Sequence, residues 1–136
     1  MAIAEVRSGD LNRPLGVFSQ AIKCEATGTL LFISGLTSRD PAGNVVGEGD
    51  IKLQTETILE NMQKLLAEAG GSMADIVKVT VFIRDMELFD QIHEVRSRYF
   101  SQPYPASSMV EVSRLVSPAH LIEIEAIAAI GQSRSG

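Results

Sequence analysis

A chain of 136 residues is long enough for one hydrophobic core and too short for two, so residues 1–136 are expected to form a single domain. The composition, 45% hydrophobic against 21% charged, is that of a globular protein, and no apolar run approaches the roughly 20 residues that cross a bilayer, so no membrane partner is expected. A net charge of −5 without a cluster of Lys or Arg lacks the electrostatic footprint of a nucleic-acid binder.

The N-terminal stretch "MAIAEVRSGDLNRP" has neither a basic region followed by an apolar core nor the acid-poor, Arg- and Ser-rich pattern of a transit peptide. A cytoplasmic location is expected. "FSQAIKCE" and "TLLFISGLT" read as strands, and the intervening "ATG" predicts that they form a β-hairpin. "RDPAGNVVGEGD" has the Gly and Pro content of an exposed loop. A helix follows, with Asp50 as N-cap, an apolar stripe of Ile58, Met62, Leu65, Leu66 and Ala69, and Gly70-Gly71 as its stop. After a short capped turn from Ser72 to Asp75, "IVKVTVFIR" alternates as a strand, with Val77, Val79, Val81 and Ile83 on one face. A second helix is predicted over 86–100, capped by Asp85, with Phe89, Ile92, Val95, Tyr99 and Phe100 as its stripe. "SQPYPAS" breaks it. Two last strands, about 108–115 and 121–129, are joined by "VSPAH".

The order ββαβαββ predicts an α+β fold, a mixed sheet with two helices on one face. Two helices cover only one side, so the other side of the sheet would lie bare with residues such as Phe82 on it. An apolar face without intrachain cover points to self-association.

The single Cys24 cannot form an internal disulfide, and two histidines without ligand-like spacing predict no metal site. No phosphate-binding glycine loop, nucleotide fingerprint or Ser-His-Asp order is present. Ser34, before Gly35, and the strand acids Glu111, Glu123 and Glu125 stand out as candidates for chemistry. Glu111 and Glu125 read as acids on solvated strand faces. Glu123 differs because Ile122 and Ile124 flank it on a mostly buried strand, and a partly buried carboxylate suits proton exchange near neutrality. His93 lies at the edge of the second helix's apolar stripe and reads as a packing residue, while Arg96 and Arg98 read as a solvated helix face.

At "GVFSQAI", "LLFISGLTSRDPAGNVV", "QTETILENMQKLLAEAGGSMADIVKVTVFIRDMELFDQIHEV" and "MVEVSRL...IEIEAIA", in that order and spacing, the chain resembles the YjgF/RidA family of reactive-intermediate deaminases, from about residue 15 to 130. The resemblance implies a chorismate-mutase-like fold assembled as a homotrimer around a central barrel, with ligand clefts between neighbouring subunits. It also implies hydrolysis of small enamine or imine carboxylates, such as 2-aminoacrylate, to the oxo acid and ammonia with no metal or organic cofactor. In that family an arginine in a "PARS"-like segment holds the substrate carboxylate, a bidentate task suited to guanidinium. Here the segment is "PASS", and Ser107 takes that position. Further departures are Phe18 for a Tyr, Leu36 for a Gln, Met109 for a Cys and His93 for an Asn, whereas Glu123 matches the acid thought to position the attacking water.

Retention of the acid with a rebuilt clamp implies a specialised substrate, and the wording most resembles the 2-aminomuconate deaminases of aromatic degradation. A six-carbon diacid wants two anion contacts. The donors for it are His93, Arg39 or Arg96, Ser107, and the backbone near Ser108 and Met109, with Phe18, Ser34 and Gly35 completing the expected site. Glu123 is the expected catalytic acid/base, with His93 as the next candidate. Two alternatives stay open: a general 2-aminoacrylate deaminase, and a non-catalytic trimer that binds small ligands.

Overall fold

In the computed structural model, which describes residues 3–11, 13–14, 16–25, 28–131 and 134–135, the strands are β1 (Ile3–Val6), β2 (Ala21–Cys24), β3 (Thr29–Leu36), β4 (Ile76–Ile83), β5 (Ala106–Glu111), β6 (Ile122–Ile130) and β7 (Arg134–Ser135). The helices are α1 (Ile51–Glu68) and α2 (Phe89–Tyr99), with 3₁₀ turns over Met73–Asp75 and Met86–Leu88. The main sheet runs β3-β6-β4-β5, mixed because β4 and β5 are parallel while β6 is antiparallel to both its neighbours. The predicted α+β order is therefore present, with β1 and β7 added at the ends. No described helix is long and apolar enough to cross a membrane.

Both helices pack on one face of this sheet. The Asp50 carboxylate accepts from Leu53 N at 3.1 Å to start α1, and Gly70, at φ +82°, provides the left-handed stop. The buried side of α1 is Ile51, Gln54, Thr55, Ile58, Leu59, Met62 and Leu66, a helical repeat that excludes the predicted Leu65 and Ala69, both of them exposed. The apolar ones, Ile51, Ile58, Leu59, Met62 and Leu66, meet Ile33, Val79, Val81, Ile83, Ile122 and Ile124 in one core.

Further predicted features differ: Asp85 caps the 3₁₀ turn Met86–Leu88, and α2 itself starts only at Phe89. The hairpin between β2 and β3 is not formed: β2 pairs with β1 (Ile3 opposite Cys24), and β3 pairs with β6. The alternating Leu31 and Ile33 of β3 match the Ala-rich inner row of β6 (Ala126, Ala128), whereas β2 is largely exposed and offers no comparable core face. Residues 26 and 27 of the predicted turn lie outside the described residues. In β4, Val77 leaves the predicted core face, because two residues there, Val77 and Lys78, oppose only Ile127, and this bulge puts Ile76 in the core instead. Finally, β5 stops at Glu111 instead of 115. Val112 N still donates to Ile83 O at 2.8 Å, but β4 ends at Ile83 and the ladder has no further partner.

His120, just before β6, is fully buried, and neither ring nitrogen has a hydrogen-bond partner among the described residues. Burial, reinforced by the positive charge of Arg39, lowers its pKa from the ordinary 6.5. The unfolded chain therefore takes this proton at a higher pH than the folded one. The stability that neutral His120 contributes is full above the ordinary value and is lost as pH falls below it. Thermal melts from about pH 7.5 to about pH 5.5 should show a falling Tm, and His120→Leu should flatten that slope. An unchanged slope in the variant would assign the acid sensitivity elsewhere.

Candidate active site

On β6, Ile122, Ile124 and Ala126 face the helices, so Glu123 and Glu125 point to the opposite, uncovered face. There β3 carries a bulge: Ile33 pairs with Ala126 and Leu36 with Ile124, which leaves Ser34 and Gly35 together opposite Glu125. The Glu123 side chain lies across this bulge. A Cβ at position 35 would overlap the carboxylate, whose Cδ is only 2.7 Å from that point, so the site needs glycine for close approach. Glu123 is half-buried, and no hydrogen bond or ion pair engages its side chain among the described residues. The same face exposes Leu30 (57%) and Phe32 (70%) of β3 and Val110 (44%) of β5.

The other half of the expected site is on the helix side. In the β4–β5 ladder Ser107 pairs with Val79 and Met109 with Val81, so both point toward α2. They line a cavity of about 190 Å³ with Phe18, His93 and Arg96, completed by Gly16, Val17 and Phe89. On α2, Phe89, His93 and Arg96 stand at spacings of four and three residues and so share a stripe. The Phe89 and His93 rings are parallel within 3° at 6.0 Å between centroids. The loop bearing Phe18 is held to the start of β5 by Ser19, whose N donates to Pro105 O at 3.0 Å and whose hydroxyl donates to Tyr104 O.

Arg96 is 4% exposed, not on the solvated helix face that its charge suggested. Its Nη2 donates to Ser107 Oγ at 2.8 Å, the guanidinium lies 6.0 Å from the centre of the Phe100 ring, and Nε has no acceptor among the described residues. Burial pushes its pKa down to about 10, which leaves it charged at neutral pH. Arg98 does face outward and pairs with Glu56 at 3.1 Å.

The predicted residues thus fall into two groups with the sheet between them. Phe18, His93, Arg96, Ser107 and Met109 come together, as do Ser34, Gly35 and Glu123. Within one chain His93 and Glu123 are on opposite sides of the sheet and cannot act on the same atom. Ser108 also faces the uncovered side, where Lys78 Nζ donates to its hydroxyl at 3.0 Å. Arg39 joins neither group; its Nη1 donates to Gly43 O at 2.7 Å within its own loop. Glu111 accepts from Met86 N at 2.9 Å and so has a structural role. The sequence reading missed Gly16, Val17 and Phe89 as lining residues. The spacing of Phe89 and His93 was the available signal. Among the described residues, no group of three or more His, Cys, Asp or Glu could hold a metal ion.

Comparison with known proteins gives this geometry a family. The family model described as Endoribonuclease L-PSP matches residues 10–130. A RutC family protein of Pyrococcus abyssi is 46% identical over 116 residues, covering 85% of this chain and 88% of that protein. A protein of Dermatophagoides farinae named 2-iminobutanoate/2-iminopropanoate deaminase is 33% identical over 118 residues, 87% of this chain and 89% of its own. The crystal structure of the Rid family protein YyfB from Yersinia pestis superposes with a TM-score of 0.86 at 27% identity, over 96% of this chain and 100% of that one. The chain belongs to the YjgF/RidA (RutC) family, whose members include imine deaminases.

Proposed function

We propose that the chain is a cofactor-independent hydrolase that deaminates enamine or imine acids, working in clefts between the copies of a homotrimer. The carrying observation is the division of the site. Glu123 and its Gly35 seat are on the bare face with Phe32, while the cavity with Arg96 and Ser107 is on the other side, so one copy's carboxylate reaches a cavity only on a neighbour. Assembly through the bare face would also bury Leu30, Phe32 and Val110.

In the reaction the enamine first tautomerises to the imine. Glu123 accepts a proton from water as the water oxygen bonds to the imine carbon, and the resulting carbinolamine collapses after proton transfer to nitrogen. The C–N bond breaks, and the products are the 2-oxo acid and ammonia. As substrate we propose 2-aminomuconate, giving 4-oxalocrotonate in aromatic degradation, on the strength of the rebuilt segment at Ser107. A general deaminase of small 2-imino acids is the second reading, favoured by the name of the mite relative. RNA cleavage, which the family description carries, has less support, because a net charge of −5 works against a polyphosphate backbone.

Ammonia release is the test. The purified protein should accelerate it from 2-aminomuconate, or from 2-iminobutanoate generated in situ by an amino-acid oxidase, well beyond the buffer rate. A protein that binds 2-oxobutanoate but leaves both buffer rates unchanged would be a ligand-binding trimer and not an enzyme.

A further inference from the structure

We propose that Arg96, delivered from α2 and steered by Ser107, is the anchor for the substrate's C1 carboxylate, so that the cation of the site comes from the helix and not from the strand position that Ser107 occupies. The proposal rests on the deaminase reading for its substrate, a 2-imino or 2-oxo acid, but stands on its own geometry.

A guanidinium that is 4% exposed has left water behind, and such a charge is strongly unfavourable without a counter-charge. Arg96 has none among the described residues: it has one neutral acceptor, the Ser107 hydroxyl at 2.8 Å, one aromatic ring, and an Nε–H without a partner. Beside it lies the cavity of about 190 Å³, large enough for a small acid. The buried, unpaired guanidinium thus borders the cavity. Ser107 adds a second donor. Because its oxygen accepts from Arg96, its own proton must point elsewhere, and its side chain borders the cavity. A carboxylate there would receive one hydrogen bond from the hydroxyl and a charge-assisted one from the guanidinium. The Arg96–Ser107 contact therefore aims the anchor as well as tying α2 to β5.

The experiment is calorimetric titration with 2-oxobutanoate, using butanone as the same skeleton without a carboxylate. Wild type should bind the acid and not the ketone. Arg96→Met should weaken acid binding tenfold or more. Arg96→Lys should recover only part of it, because an ammonium keeps the charge and loses the planar fork. Ser107→Ala should weaken binding severalfold while the fold is kept. A folded Arg96→Met protein that binds 2-oxobutanoate as tightly as wild type overturns the proposal. Should that variant not fold, wild-type affinity in both Arg96→Lys and Ser107→Ala overturns it equally. Light scattering covers the rival counter-ion: loss of assembly in Arg96→Met with unchanged acid affinity would mean that a neighbouring copy's carboxylate pairs with Arg96. Ammonia release separates this proposal from the deaminase reading. Turnover indifferent to Arg96 refutes the anchor alone, and Arg96-dependent binding without turnover refutes the deaminase alone.

Discussion

Glu123→Gln is expected to lower kcat for ammonia release by about 10²- to 10⁴-fold, the range for removal of a general acid/base. The amide has the same shape, so it can still lie across Gly35 at the β3 bulge, where even one added carbon would collide. Fold and assembly should be unchanged. What is lost is the ability to take the proton from water as it attacks. Glu125→Gln is the matched control: it is two residues along the same strand and on the same face, but exposed and opposite Thr80, and it should keep the wild-type rate. Equal losses in both variants would mean that the bare face needs negative charge in general and that Glu123 has no special role.

Phe32→Asp should dissociate the assembly and abolish turnover with it. Phe32 is the most exposed aromatic of the bare face at 70%, with Leu30 at 57% two residues away and Ile127 across the ladder. Burying a Phe side chain contributes about 1.5–3 kcal/mol, and the substitution replaces that gain in each copy with a carboxylate that must leave water. Because Glu123 and the Arg96 cavity are on opposite faces of one chain, the proposed site would have both its halves in a monomer but no complete cleft. Light scattering at micromolar concentration should report a monomer, with ammonia release near the buffer rate. A Phe32→Asp protein that stays associated and active would place the interface elsewhere.

Much of this arrangement was legible in the residues. The alternation of Val79, Val81 and Ile83 identified β4 and its core face, and Ile122 and Ile124 on either side of Glu123 marked that acid as half-buried. Asp50 and Gly70 marked both ends of α1 because capping is a local interaction. What alternation alone could not give was register. The bulge at Val77 and the pairing of β3 with β6 depend on contacts between segments far apart in sequence. The separation of Glu123 from Ser107 is of the same kind. Each strand's two faces were readable, but only the position of β4 between β5 and β6 determines that Ser107 and Glu123 point to opposite sides. Arg96 was misread for another reason. It is next to Val95 on α2, three residues after His93 and seven after Phe89, which puts it within the apolar stripe, and its charge argued for solvent more strongly than its spacing argued for burial.

The most direct test of the divided site is subunit mixing. Glu123→Gln and Arg96→Met chains, each expected to be nearly inactive alone, are unfolded together and reassembled in equal amounts. If every cleft takes Glu123 from one copy and Arg96 from its neighbour, chance pairing gives about a quarter of the clefts both intact groups, and ammonia release should return to about a quarter of the wild-type rate. If one copy supplied both groups, no mixed assembly could contain an intact cleft. A reassembled trimer as inactive as its parents would contradict the account.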